Sequence, residues 1–148
     1  MVNVRNVVLW LHIVVGMVTL GPLMLFDVVG AGMVRARNAG AVRFMSDRAK
    51  VLGPSTLLVA LLGIVLVLRS GEDPYTFSQG WVIAALVLYV AMVAVGAGVS
   101  NPTLSRAADK LEAGEDATAE ATRLRLLGAF LIADFLVILW LMVAKPGM

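Results

Sequence analysis

Four long apolar stretches, set apart by short polar ones, dominate the chain. No charged residue falls between positions 51 and 68 or between 74 and 105. Residues 6–34 carry only Asp27, and residues 124–144 only Arg125 and Asp134. A helix rising ~1.5 Å per residue needs about 20 residues to cross a ~30 Å hydrocarbon core, so runs of this length read as transmembrane helices. They are too long and unbroken for barrel strands of ~10 residues, and an open sheet would leave backbone groups unpaired in lipid. The pattern predicts an all-α integral membrane protein, an antiparallel four-helix transmembrane bundle. Its spans fall at about 6–34, 51–68, 80–100 and 124–144, in a single domain covering 1–148. Residues 35–50 and 101–123 are expected to be the two loops on one side. The segment "RSGEDPYTFSQG" is expected to be a turn-rich connector on the other side.

The first run follows a lone Arg5 and far exceeds the ~7–15 residues of a signal-peptide core. No clear small-x-small cleavage site follows it, so it is expected to be a retained span. Composition agrees with a bilayer environment: 60% of residues are hydrophobic, 15% are charged, and the mean hydropathy is +0.92. A soluble domain is nearer one-quarter charged.

Charge placement sets the expected orientation. Arg35, Arg37, Arg43, Arg48 and Lys50 lie in the first loop, and Arg106, Lys110, Arg123 and Arg125 in or beside the second. Only Arg5, Arg69 and Lys145 lie on the other side, so nine basic residues oppose three. The positive-inside bias makes both loops cytoplasmic and both termini extracytoplasmic, in a multi-pass protein of the cytoplasmic membrane. Trp10, Trp81 and Trp140 come from three spans and share the level of the outer boundary, where Trp favours the interface. In the second loop, Leu104, Ala108 and Leu111 share one helical face, and Gly114 can end that helix. The loop therefore reads either as a short amphipathic helix on the membrane surface or as a solvated hairpin.

Other classes find no support. The net charge is +2, with no basic stripe interleaved with aromatics, so nucleic acid is not an expected partner. There is no cysteine, hence no disulfide and no thiolate metal site. No constellation of nucleophile, base and orienting acid appears, and the chain leans away from being an enzyme.

The chemistry rests on a few polar groups inside the spans, where each is costly. Asp27, near the cytoplasmic end of span one, is expected to pair with Arg48, Lys50, Arg123 or Arg125, or else to serve a proton or ion. Asp134 lies close to the centre of span four and must face the bundle interior. Tyr89 and Thr19 lie at similar depth and could supply its partner in an interhelix hydrogen bond. A proton or ligand site is the other reading. His12, the only histidine, shares a broad face of span one with Gly16, Thr19, Leu23 and Asp27. Gly16 beneath it leaves room for a neighbouring helix or a flat cofactor. Imidazole is a common haem and metal ligand, so His12 reads as a packing residue, a haem or metal ligand, or a proton relay. A second ligand would have to come from Met (Met142 lies at similar depth), from a carboxylate, or from His12 of another protomer. Pro22 and Pro54 are expected to mark kinks or helix entries. The pairs Ala94/Gly98 and Ala129/Ala133 permit close helix contact.

The stretch "WLHIVVGMVTLGPLMLF", with its Leu-His pair near the outer end of the first span and glycine-spaced apolar residues, resembles the copper-resistance D-type superfamily. That group includes the four-helix haem-binding protoporphyrinogen oxidase of the HemJ type and small uncharacterised four-helix proteins. The tail "LWLMVAKPGM" is most similar to the uncharacterised members. The resemblance covers the whole hydropathy plan. It implies that His12 matches a first-span histidine taken as a haem ligand, with haem b or copper as the cofactor. The oxidase pattern also has a lysine in the third span, where this chain has no charge. The expected function is a small membrane protein that holds haem b or a metal near its outer face through His12, in a redox role. The alternatives are a cofactor-free accessory subunit, with a homodimer or a membrane partner, and a small proton-coupled transporter using Asp134. The chain shows no inverted repeats and no broken helices with paired polar sites, which argues against the transporter.

Overall fold

In a computed structural model, which describes residues 3–68, 77 and 79–146, the chain forms six α-helices among the described residues. They are α1 (Val4–Arg35), α2 (Ala39–Leu52), α3 (Thr56–Leu68), α4 (Gly80–Val95), α5 (Asn101–Glu112) and α6 (Thr118–Ala144). α2 and α3 join into one long helix, Ala39–Leu68, and α4 and α5 into another, Gly80–Glu112. With α1 and α6 this makes four helices long and apolar enough to cross a membrane, as the hydropathy pattern predicts. Most of the connector between the second and third spans lies outside the described residues.

The expected loops are themselves helical, and local chemistry shows why. At the end of α1, Arg37 adopts the left-handed conformation (φ 54°), and the amides of Arg37 and Asn38 donate back to the carbonyls of Val34 and Met33, each at 3.0 Å. This is a Schellman closure. The Asn38 side chain then accepts from the Ala41 amide at 3.0 Å and starts α2 at once. Gly114 (φ 77°) closes α5 in the same way, with the Glu115 amide on the Lys110 carbonyl at 2.8 Å. α6 begins at Thr118, six residues before the expected start of span four. Asp116 supports that entry by accepting from the Thr118 amide and hydroxyl at 3.3 and 2.7 Å.

Contrary to the expectation of unbroken helices, both long helices are broken near one level. Pro54 has no amide proton, and a 3-10 turn, Gly53–Ser55, takes up the interruption. The hydroxyls of Ser55 and Thr56 donate to the carbonyls of Leu52 and Gly53 at 2.6 and 2.7 Å. In the other long helix a π-turn, Gly96–Ser100, precedes Pro102, and the Asn101 amide reaches five residues back to the Gly96 carbonyl. Pro102 cannot donate four residues back to Gly98, so the wider turn sits where the α pattern already lacks a bond.

Two hydrophobic cores result. On the side of the two interhelical turns (the hairpin side), α2 and α5 pack together and against α1 and α6. Val42, Leu104, Ala107, Ala108, Ala121 and Leu124 are buried there. Arg43 of α2 bonds Glu112 of α5 through Nε and Nη2 at 2.9 and 2.8 Å, and also pairs with Asp109. These hydrogen bonds hold the Glu112 carboxyl below the usual carboxylate range. Lys110 does the same for Glu120 across the α5–α6 turn, at 2.7 Å. The amphipathic face of Leu104, Ala108 and Leu111 is real, but it packs on α1, α2 and α6 as an extension of the third span. On the side of the termini (the terminal side), Leu20, Met24, Val59, Met92, Leu131 and Ile138 form the second core.

α1 is the central helix, packed along α6 and α3, and α4 packs on α6. The α1–α6 crossing is close because Gly128 has no side chain: a Cβ there would stand 2.7 Å from Val28 Cγ2 and 3.2 Å from the Val28 backbone nitrogen. The small pairs singled out by spacing do not do this. Ala94, Gly98, Ala129 and Ala133 are exposed, because their helical phase turns them away from the bundle.

Candidate functional site

No substantial interface joins α3 to α4 among the described residues. The terminal half of the bundle is therefore an open ring, with a cleft of about 380 Å³ lined by α1, α3, α4 and α6. Its walls are mostly aliphatic and aromatic, and Trp81, Phe135 and Met142 contribute. Arg5 and Lys145 line its terminal end, while His12 and Tyr89 bring polar atoms into it. The volume is that of a small-molecule site, for which ~300–1,000 Å³ is typical.

His12 is fixed by α3. Its Nδ1 lies 3.0 Å from the Val59 carbonyl oxygen. A carbonyl can only accept, so Nδ1 carries the proton and Nε2 keeps the lone pair. Gly63 makes this contact possible, because a Cβ at that position would lie 3.2 Å from His12 Cε1. Gly16 is buried and lines the cleft, but a Cβ on it would meet only Val59 Cγ1, at 3.8 Å. Sequence spacing pointed to Gly16 as the small neighbour. The residue the imidazole leans on is Gly63, 51 positions away along the chain. Nothing in the local pattern could have paired the two.

The other polar residues do not join His12. Thr19 donates to the Val15 carbonyl of its own helix at 2.7 Å. Tyr89 donates to the Thr56 carbonyl, tying α4 to the start of α3 at the floor of the cleft. Asp134 faces the interior, 7% exposed, but neither Thr19 nor Tyr89 reaches it and its Oδ2 has no hydrogen-bond partner. The expected interhelix bond is therefore not formed, and both candidate hydroxyls donate to backbone carbonyls instead.

Asp27 is 1% exposed and accepts from the Ser100 hydroxyl, not from a basic side chain. The helical loops explain the difference. Lys50 turns to Asp47 at 3.3 Å, Arg48 lies over the Phe44 ring at 5.1 Å, and Arg123 and Arg125 point outward from α6. Ser100 was not singled out by sequence. It faces Asp27 from the π-turn, and the run "GAGVSNP" ahead of a helical segment is the signal that could have found it.

Among the described residues no three His, Asp or Glu side chains come together. Methionines Met17, Met92 and Met142 also line the cleft, and thioethers ligate soft metals and haem iron.

These features define a multi-pass integral membrane protein with an apolar, histidine-bearing cleft on the terminal side of a four-helix bundle. The chain belongs to the family described as predicted integral membrane protein (DUF2269), whose family model matches residues 6–146. No curated protein and no solved structure matches it.

Proposed function

We propose that the protein binds haem b in the terminal-side cleft, where His12 would hold it, and acts as a redox carrier in the cytoplasmic membrane with both termini extracytoplasmic. The observation that carries this reading is the Nδ1 bond to the Val59 carbonyl. It orients the ring and raises the basicity of Nε2, as a carbonyl accepting from the far ring nitrogen usually does for a ligating histidine. The likeness to copper-resistance D-type proteins points the same way. The apolar walls would receive a porphyrin, and the cationic Arg5 and Lys145 line the end where its carboxylates would emerge. Bound haem would supply one-electron exchange. A sixth ligand would come from a cleft methionine such as Met142, or from His12 of a second copy across a two-fold interface. Copper would need several of these methionines with His12.

The visible spectrum of the protein purified with haem supplied tests this. A Soret band that His12→Ala abolishes, with helicity unchanged, is the expected result. A protein that takes up neither haem nor copper, oxidised or reduced, would overturn it. The second reading, a cofactor-free accessory subunit, would then lead, with the His12–Val59 bond serving only to lock α1 on α3.

A further inference from the structure

The two helix breaks face one another. A Cβ on Gly53, in the 3-10 turn, would lie 3.9 Å from Asn101 Nδ2, just after the π-turn. Both breaks line a second cavity of about 370 Å³ at the junction of the two cores, where Lys50, Thr56, Ser100 and Asn101 are the polar residues of the wall. In a bilayer, irregular backbone is tolerated where it is buried in protein or lines a water-holding space. Interrupted helices at matching depth commonly mark ion sites.

Behind this wall sits Asp27. Ser100 lines the cavity and gives its hydroxyl hydrogen bond to Asp27 Oδ1, while Oδ2 has no partner. On the far side α6 closes over the carboxyl at Gly128, where a Cβ would stand 3.2 Å from Asp27 Cβ. The charged groups around it are few. Lys50 of α2 lines the cavity and is tied to Asp47. Arg106 of α5 bonds Thr103 at 3.3 Å. Asp134 shares the buried face of α6, six residues beyond Gly128, or ~9 Å along the helix. Among the described residues no basic side chain pairs with Asp27, whose one hydrogen-bond partner there is Ser100, although ionisable groups within a span usually pair with one another or with the backbone.

We propose that the cavity between the two helix breaks is a second site, which admits water and delivers a small cation, a proton or an alkali-metal ion, to the Asp27 carboxyl by way of Ser100. For a proton, a hydronium in the cavity gives its proton to Ser100 Oγ as Ser100 passes its own to Asp27 Oδ1, and water is left. The site shares Leu20 and Met92 with the wall of the His12 cleft but none of its polar side chains, and it stands whether or not haem binds there.

The test is modification of the full-length protein in detergent with a water-soluble carbodiimide and an amine, read by peptide mass spectrometry. Exposed Asp47 and Glu115 serve as internal references. A carbodiimide reacts with the protonated carboxyl, so Asp27 should be modified at a rate that falls as pH rises. If sodium or potassium at fixed pH slows the reaction, the bound cation is the alkali ion; if neither does, it is the proton. Ala97→Phe and Val93→Phe, which fill the cavity from the π-turn and from α4, should each lower the Asp27 rate at least tenfold relative to Asp47 and Glu115. No modification of Asp27 at any pH while the references react would overturn the proposal, as would a rate unchanged in a folded cavity-filling variant.

Discussion

Gly63 and Gly16 both stand beside the histidine cleft, yet a methyl group would act differently at each. At Gly63 it would press on His12 Cε1 at 3.2 Å, and the ring would have to yield against its bond to Val59. At Gly16 it would make an ordinary 3.8 Å contact. Gly63→Ala should therefore weaken haem uptake well below the Gly16→Ala level in a spectroscopic titration; the opposite order would show that Gly63 does not set the ring. Asp134 carries a second prediction at this scale. A buried carboxyl without a partner costs stability, about 2.5–3.5 kcal/mol on insertion scales. Asp134→Leu should then raise the thermal denaturation midpoint in detergent, with Asp134→Asn between it and the parent. A fall in both variants would mean that the carboxyl has a stabilising partner.

At the scale of the element, the two long helices owe their register to their interruptions. One π-turn places Ser100 opposite Asp27, and Pro102 prevents the chain from relaxing into an unbroken α-helix there. The α2–α5 pair is held by its alanine-rich core and by Arg43 on Glu112 and Asp109. Because hydrogen bonds hold Glu112 and Glu120 below their ordinary range, their contribution is complete above that range. It is lost as pH falls through the lowered values. Protection factors of the α2 and α5 amides in hydrogen exchange should accordingly fall as pH drops below the ordinary carboxylate range, while those of α3 and α4 hold. Arg43→Gln should flatten that pH dependence, since the partner of Glu112 is gone. The carboxylates that Arg43 pairs with are exposed, so high salt should also weaken its share of the effect.

For the whole molecule, the four spans put both termini on one side and the turns at 36–38 and 113–117 on the other. The chain has no cysteine, so single introduced cysteines report cleanly. In intact cells Asn3→Cys should react with an impermeant maleimide, and Asn38→Cys and Glu115→Cys only after permeabilisation. The reverse pattern would invert the orientation, and reaction of all three in intact cells would contradict four spans.

Much of this architecture was already present in the residue pattern. The number of spans and the interior position of Asp134 follow from hydropathy and helical phase, because a bilayer penalises charge and unpaired backbone wherever they occur. Asp27 and His12 were likewise visible as costly groups in apolar runs. What each of them touches was decided only in three dimensions. The basic residues expected beside Asp27 were carried away when the loops folded as helices, since Schellman turns at Arg37 and Gly114 start and stop helices within a few residues. Gly63 under His12, Gly128 under Val28 and Ser100 on Asp27 are contacts between residues 51, 100 and 73 positions apart. A periodic pattern tells which face of a helix turns inward, but the depth and rotation at which two such faces meet are set by packing. The two cavities likewise exist only because α3 and α4 stay apart on the terminal side and both long helices break at one level.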